Sequence, residues 1–286
     1  MQDEDRASGA KLSTGSAFRT LLVHAEPKAA SSHRVMAAAR LARDLDATLM
    51  GLGAAMFEPI LPTDPFLGDP GPDWVASIQA ELRTSLAEAE QAFRRDAAGA
   101  EVDWRSLDDH PSRALLRLAH AVDLIVLDPR DGREGAAEPG DVLVGSGRPL
   151  LIVPPHRDRL SAKAAVVAWK NTRECRRATS DALPLLRRAS DVVVVAVTSF
   201  DETSAAGVEL DDVVRHLRSH GVAARAHVAT APLGGTTDEI HRAAERAGAD
   251  LVVCGGYGHT RLREWVFGGV TNDLLKNPET FVLMSH

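Results

Sequence analysis

Cysteine is scarce: the 286 residues include only Cys175 and Cys254, in unrelated contexts and without a CxxC pair. Neither a disulfide framework nor a zinc site is indicated, and both are expected to be plain reduced thiols. Aromatic residues make up 4%, and the formal charge of −7 with interspersed Lys and Arg leaves no basic face. Nucleic acid is therefore not an expected partner. No run of about 18 apolar residues is available to span a bilayer. The opening MQDEDR is acidic where a secretory leader would be basic. The expectation is a cytoplasmic chain that does not engage a membrane. A Gly-x4-Gly-Lys-Ser/Thr loop, a Gly-x-Ser-x-Gly elbow and an evident pairing of nucleophile with base are also missing, so no catalytic residue is expected.

What is there has a regular grammar. A content of 44% hydrophobic and 26% charged residues is that of a soluble globular protein, and the length suffices for about two domains. Residues 1–16 are small and polar without an apolar period, and are expected to form a disordered tail. Phe18–His24 reads as a strand, Ser32–Leu45 as an Ala-rich amphipathic helix and Thr48–Ala54 as a second strand. Five prolines and two glycines between Phe57 and Trp74 predict a long loop. A helix over Val75–Ala98, a short strand near Val102, a helix over Pro111–Ala121 and a strand over Asp123–Asp128 follow. Residues 129–140 read as loop, and Pro149–Val153 as a fifth strand closed by Pro154-Pro155.

The pattern then restarts. Strands are expected at Ala164–Trp169, Val192–Thr198, Ala224–Val228, Leu251–Cys254 and Thr280–Met284. Helices are expected at Glu174–Ala189, at Glu209–His220, and from a capping box at Thr236–Glu239 to Gly248. Arg19 and Ala164 lie 145 residues apart, whereas Asp123 and Asp250 lie 127 apart; the difference equals the 18 residues of Phe57–Trp74. The chain is thus an internal repeat, 17–154 and 161–286, whose first copy carries an insertion. Alternation of strand and helix implies right-handed crossovers and parallel sheets.

The most informative stretch is Asp250–Leu275, DLVVCGGYGHTRLREWVFGGVTNDLL. A continuous apolar strand breaks at Gly255, Gly256 and Gly258, a nine-residue spacer leads to Gly268-Gly269, and an apolar-spaced helix follows. Glycines leave backbone N–H groups uncovered, and a helix N-terminus favours negative charge, so the two can form one anion pocket. Such glycines also allow close helix packing, and both readings stay open at this point. Cys254 reads as a buried small hydrophobe. His216 and His220, at i and i+4, lack an evident third metal ligand and read as a solvated face.

In this stretch the sequence resembles the universal stress protein family, whose members carry Gly-x2-Gly-x9-Gly-Ser/Thr after the fourth strand. Gly255, Gly258 and Gly268 match, and Gly269 stands in place of the hydroxyl residue. The resemblance implies two tandem five-stranded parallel sheets of order 3-2-1-4-5 with helices on both faces, a Rossmann-like α/β fold of the adenine nucleotide alpha hydrolase type. It implies an intramolecular pseudo-dimer through strand five of each half, near 148–153 and 279–284, and leaves a further homodimer open. ATP or another adenine nucleotide is the implied cofactor, with no metal, and its contacts would be Trp169, Lys170, Val197, Gly255, Gly258, His259, Gly268, Gly269 and Val270. Lys170-Asn171-Thr172 replaces the family's Asp-Gly-Ser after the first strand, and Gly269 lacks a hydroxyl. Both departures point to weakened or lost ATP binding. The first half has no Gly-x2-Gly after DLIVLD, so no nucleotide site is expected there. The overall expectation is a non-catalytic stress-response binding module, with an ATP sensor or weak ATP hydrolase as the alternative.

Overall fold

The computed structural model describes residues 18–26, 32–56, 71–129, 132–133, 136–230, 235–258 and 269–286. The expected N-terminal tail, most of the Pro/Gly-rich segment, and the spacer between Gly258 and Gly269 lie outside the described residues. The first half runs β1 (Thr20–His24), α1 (Ser32–Leu45), β2 (Thr48–Ala55), α2 (Pro72–Asp96), β3 (Val102–Asp108), α3 (Pro111–Leu118), β4 (Leu124–Leu127), α4 (Pro139–Gly145) and β5 (Leu150–Ile152). The second runs β6 (Ala164–Ala168), α5 (Arg173–Asp181), α6 (Leu183–Leu186), β7 (Asp191–Thr198), α7 (Thr203–Ser219), β8 (Ala224–Thr230), α8 (Thr236–Ala247), β9 (Leu251–Gly255), α9 (Gly269–Lys276) and β10 (Phe281–Ser285).

Central strands such as β4, LIVL, and β10, FVLMS, are buried along their whole length. Helices cover both faces of the sheet, so no position in these strands can be polar without losing its water. The outermost strands β3 and β8 mix exposed and half-buried positions, as one-sided neighbours require. Two cores result, one on each face. One lies under α1, α2, α5, α6 and α7, the other under α3, α4, α8 and α9, and each runs through both halves of the chain.

Each half has the expected order 3-2-1-4-5 with parallel neighbours. The two sheets are not separate, however. β5 and β10 pair antiparallel, Leu150 with Met284, Leu151 with Leu283 and Ile152 with Val282, and fuse them into one ten-stranded sheet. Strand five of either half has an open edge and a buried apolar surface, and pairing the two satisfies both at once. Arg188 adds a tie by donating from Nη1 to the Asp44 carbonyl at 2.6 Å, and Arg40 pairs with Asp158.

Several boundaries differ from the sequence reading. Helix α2 begins at Pro72, inside the expected loop, because proline suits a first helical turn. Its 25 residues against 17 in α7 take up part of the extra length of the first half. Residues 139–145, the first two of them read as loop and the rest assigned no element, form α4, capped by the Glu138 carboxylate accepting from Gly140 N. The helix expected over 174–189 breaks at Ala182, since Pro184 has no N–H to continue the ladder. Helix α7 starts six residues earlier than expected, and the expected capping box at Thr236 makes no side-chain cap; Gly235, at φ 90°, enters the helix instead.

Candidate functional site

In an open sheet of this kind ligands meet the carboxyl ends of the strands where the strand order reverses, between strands one and four. There are two such places, and they are built oppositely.

In the first half the crevice between β1 and β4 is filled by the protein itself. Arg34, in the first turn of α1, is 3% exposed. Its Nε and Nη2 donate to the His24 carbonyl at 3.1 and 2.6 Å, Nη2 also reaches Glu26 Oε1 at 3.2 Å, and Nη1 donates to Asp128 Oδ2. Arg133 closes the cluster by donating to Glu26 Oε2 at 2.7 Å. A guanidinium that meets a carbonyl and two carboxylates occupies the place where a ligand would need to sit.

The imidazole of His24 is 1% exposed, and neither ring nitrogen has a hydrogen-bond partner. Burial lowers its pKa to about 4, helped by the Arg34 charge and opposed by Glu26 and the Ala54 backbone. Burial raises the Asp128 pKa against the pull of Arg34. Burial also works against the Glu26 charge, yet Arg34, His24 and Arg133 together hold that carboxyl below its usual range. None of these groups was singled out from the sequence. The available signal was one arginine on the otherwise Ala/Val/Leu-rich buried face of α1.

In the second half the strands end in glycine. Gly255 is required by packing, because a Cβ there would lie 2.5 Å from the backbone nitrogen of Cys175 on α5. Gly256 lies against the first half, since its Cβ would come 2.4 Å from Leu143 Cδ2 on α4 and make that side chain shift. Tyr257 turns the chain through a left-handed backbone, φ 49°, and its N–H donates to Thr271 Oγ1 at 3.3 Å, which places the first turn of α9 beside the loop. Gly258 and Gly269 are different. Among the described residues, a Cβ at Gly258 would make only an ordinary contact, 3.7 Å from Glu174 Oε2, and at Gly269 it would meet nothing within 4 Å. The first pair of glycines thus serves packing, whereas no other described residue crowds the second pair.

The other expected contacts are not all gathered here. Trp169 packs on the core under α5 and α7, with Nε1 donating to Glu209 Oε1 at 2.6 Å; Val197 and Val270 pack on the core of the opposite face. The Trp169 ring instead borders a cleft of about 310 Å³ that includes Leu183, Val213 and Leu217. Lys170 is exposed at the end of β6. His259 and Gly268 lie outside the described residues. Burial raises the thiol pKa of both Cys254 and Cys175, leaving them poor nucleophiles. The His216 and His220 rings meet edge to face at 4.7 Å, and among the described residues no group of three His, Cys, Asp or Glu side chains converges as a metal site.

Sequence reasoning missed Glu174, which it read only as a helix start. Thr172 caps α5 by accepting from Cys175 N at 3.2 Å, so Glu174 falls in the first turn. Its side chain is 2% exposed, and Arg173 holds Oε1 at 3.2 Å. Burial opposes its charge, but its own backbone N–H, the Thr172 hydroxyl, Arg173 and His286 outweigh that and keep the carboxyl below the usual range.

Residues 162–286 match the universal stress protein family. Among solved structures, a universal stress protein from Archaeoglobus fulgidus DSM 4304 shares the fold with a TM-score of 0.66 at 15% identity, covering 92% of this chain and 94% of that one. A functionally unknown protein from Pseudomonas aeruginosa PAO1 matches with a TM-score of 0.56 at 18% identity over 93% of this chain and 92% of its own. At these identities the likeness is one of fold, and it spans both halves. No curated protein matches the chain.

Proposed function

We propose, from the match of residues 162–286 to the universal stress protein family, a non-catalytic binding module whose ligand, of the adenine nucleotide class, sits at the second switch point. The observation that carries this reading is the contrast between the two crevices. One is closed by Arg34, which is held by His24, Glu26 and Asp128. The other ends in Gly258 and Gly269, where no atom of the described residues crowds the backbone. A glycine backbone beside the first turn of α9 is suited to a polar or anionic ligand. The first half then supports the second through the β5–β10 seam as an intramolecular pseudo-dimer, a role that suits a stress-response protein of the cytoplasm. No helix among the described residues is long and apolar enough to cross a membrane.

The test is titration of the full chain with ATP and with adenosine, followed by calorimetry or Trp fluorescence, alongside Gly258→Val. Saturable binding of at least one of them by the wild type, lost in Gly258→Val, is expected. Failure of both to bind at millimolar concentration would overturn the proposal. Phosphate release from ATP that vanishes in Gly258→Val would overturn the non-catalytic part of it.

A further inference from the structure

The geometry points to a second binding site, separate from the switch point, for a small aromatic carboxylate: the cleft between α5–α6 and α7 that the Trp169 ring borders. It does not depend on the Gly258 loop. Its walls come from the end of β6, from α5 and α6, and from α7, and every residue lining it is among those described.

The cleft holds about 310 Å³, the small end of the range for ligand pockets. That is room for a bicyclic ring and too little for a helix about 10 Å across. Its lining is mainly apolar, with Leu183, Val213 and Leu217 beside the Trp169 ring. The walls are tied at both ends. Trp169 is fixed twice, its backbone N–H donating to the Val195 carbonyl at 2.7 Å and its Nε1 to Glu209 Oε1 at 2.6 Å. At the other end of the two helices, Arg187 Nε donates to the carbonyl of His220, just past α7, at 2.9 Å. A preset slot with one aromatic wall favours a flat ligand, because rings stack at an offset and little ordering is left to be done on binding.

The rim sets the sign of the charge. Arg176, on the α5 wall, is exposed and donates from Nη1 to Asn171 Oδ1 at 2.8 Å, and among the described residues no carboxylate pairs with it. Ser180, four residues on, lines the same wall and adds a hydroxyl. A guanidinium and a hydroxyl one turn apart can both donate to a single carboxylate. On the α7 wall Asp212 already accepts from Arg215 Nη1 at 2.7 Å, and Glu209 accepts from the indole, so each acid has a donor of its own. His216, also on the rim, meets the His220 ring edge to face. A ring seated against Trp169 with its carboxylate at Arg176 thus uses the apolar floor and the one rim cation that lacks an acid partner.

The experiment is calorimetric titration of the full chain with 2-naphthoate, with its neutral amide, and with the 2-naphthylmethylammonium cation. The carboxylate is expected to saturate at one per chain with a Kd below about 1 mM, at least about fivefold tighter than the amide or the cation. Arg176→Gln, at an exposed position, is expected to remove the advantage over the amide. Val213→Phe, which fills the slot, is expected to weaken both by about tenfold or more. Thermal unfolding checks that the variants are folded. Should Val213→Phe unfold early, Ser180→Trp, at an exposed position on the opposite wall, blocks the slot in its place. Millimolar ATP is expected to leave naphthoate binding unchanged, and displacement by ATP would overturn the separateness of the site. Absence of saturable naphthoate binding at millimolar concentration, or binding indifferent to the blocking variant, overturns the site itself. A wild type that binds the amide or the cation as tightly as the carboxylate, or a preference that survives Arg176→Gln, overturns the ligand assignment.

Discussion

Replacing His24 with Leu tests whether the first switch point is a closed, charge-filled crevice. The imidazole is buried, lacks hydrogen-bond partners and has its pKa lowered from 6.5 to about 4, with burial the largest cause and Arg34 the next. A group whose pKa is lower folded than unfolded binds its proton more readily in the unfolded chain, so acid favours unfolding. The contribution of His24 is fully present above pH 6.5 and declines as the pH falls toward 4. Linkage puts the loss at about 2 kcal/mol by pH 5 and about 3 kcal/mol at pH 4. Leu at this position keeps the backbone carbonyl that Arg34 binds and removes only the titrating ring. Urea unfolding of wild type and His24→Leu from pH 7.5 to 4.5 isolates the effect as a difference, because acid-labile carboxylates elsewhere act on both proteins alike. The wild type is expected to lose about 2 kcal/mol relative to the variant between pH 7 and pH 5. Parallel curves would refute the argument. A wild type that gains stability relative to the variant on acidification would mean that the ring is protonated in the fold and paired with Glu26, 3.9 Å away.

Two further outcomes follow from the same geometry. Arg34→Met leaves the partly buried carboxylates of Asp128 and Glu26 short of their main cation and is expected to cost about 3–5 kcal/mol in chemical denaturation. Arg34→Met combined with Asp128→Leu should recover part of that, and a single-variant cost below about 1 kcal/mol would refute the assignment. Gly255→Ala pushes a methyl against the backbone of α5 and is expected to destabilise by about 1–3 kcal/mol, whereas Gly269→Ala, which meets none of the described residues, stays within about 0.5 kcal/mol. Equal effects at the two positions, read as thermal midpoints, would contradict the division of these glycines into packing and open ones.

The division of labour between sequence and tertiary structure is visible residue by residue. Apolar runs such as Leu251–Cys254 and the amphipathic period of Ser32–Leu45 report burial on two faces or on one, and that information is local, so strands, most helices and the repeat were legible. The Gly-x2-Gly stretch was legible for the same reason, since a strand, a break and a helix follow one another along the chain. Why each glycine is there was not. Gly256 answers to Leu143, more than a hundred residues away in the other half, and Gly255 to the start of α5. The short α4 escaped notice because its seven residues carry too little periodicity to register. Charge placement was illegible altogether. Arg34, Glu26 and Asp128 are ordinary surface-type residues in sequence, and only the convergence of β1, α1 and β4 makes them a network around one buried guanidinium.

By itself, then, the order of amino acids determined a doubled α/β fold and the place where each half could meet a ligand, because backbone preference and apolar period are properties of neighbours along the chain. Folding in three dimensions decided the rest: that β5 and β10 join two sheets into one, that an arginine seals one crevice, and that a carboxylate faces the other. Hydrogen bonds, steric fit and Coulomb forces act through space, and residues far apart in sequence meet only once the sheet is built.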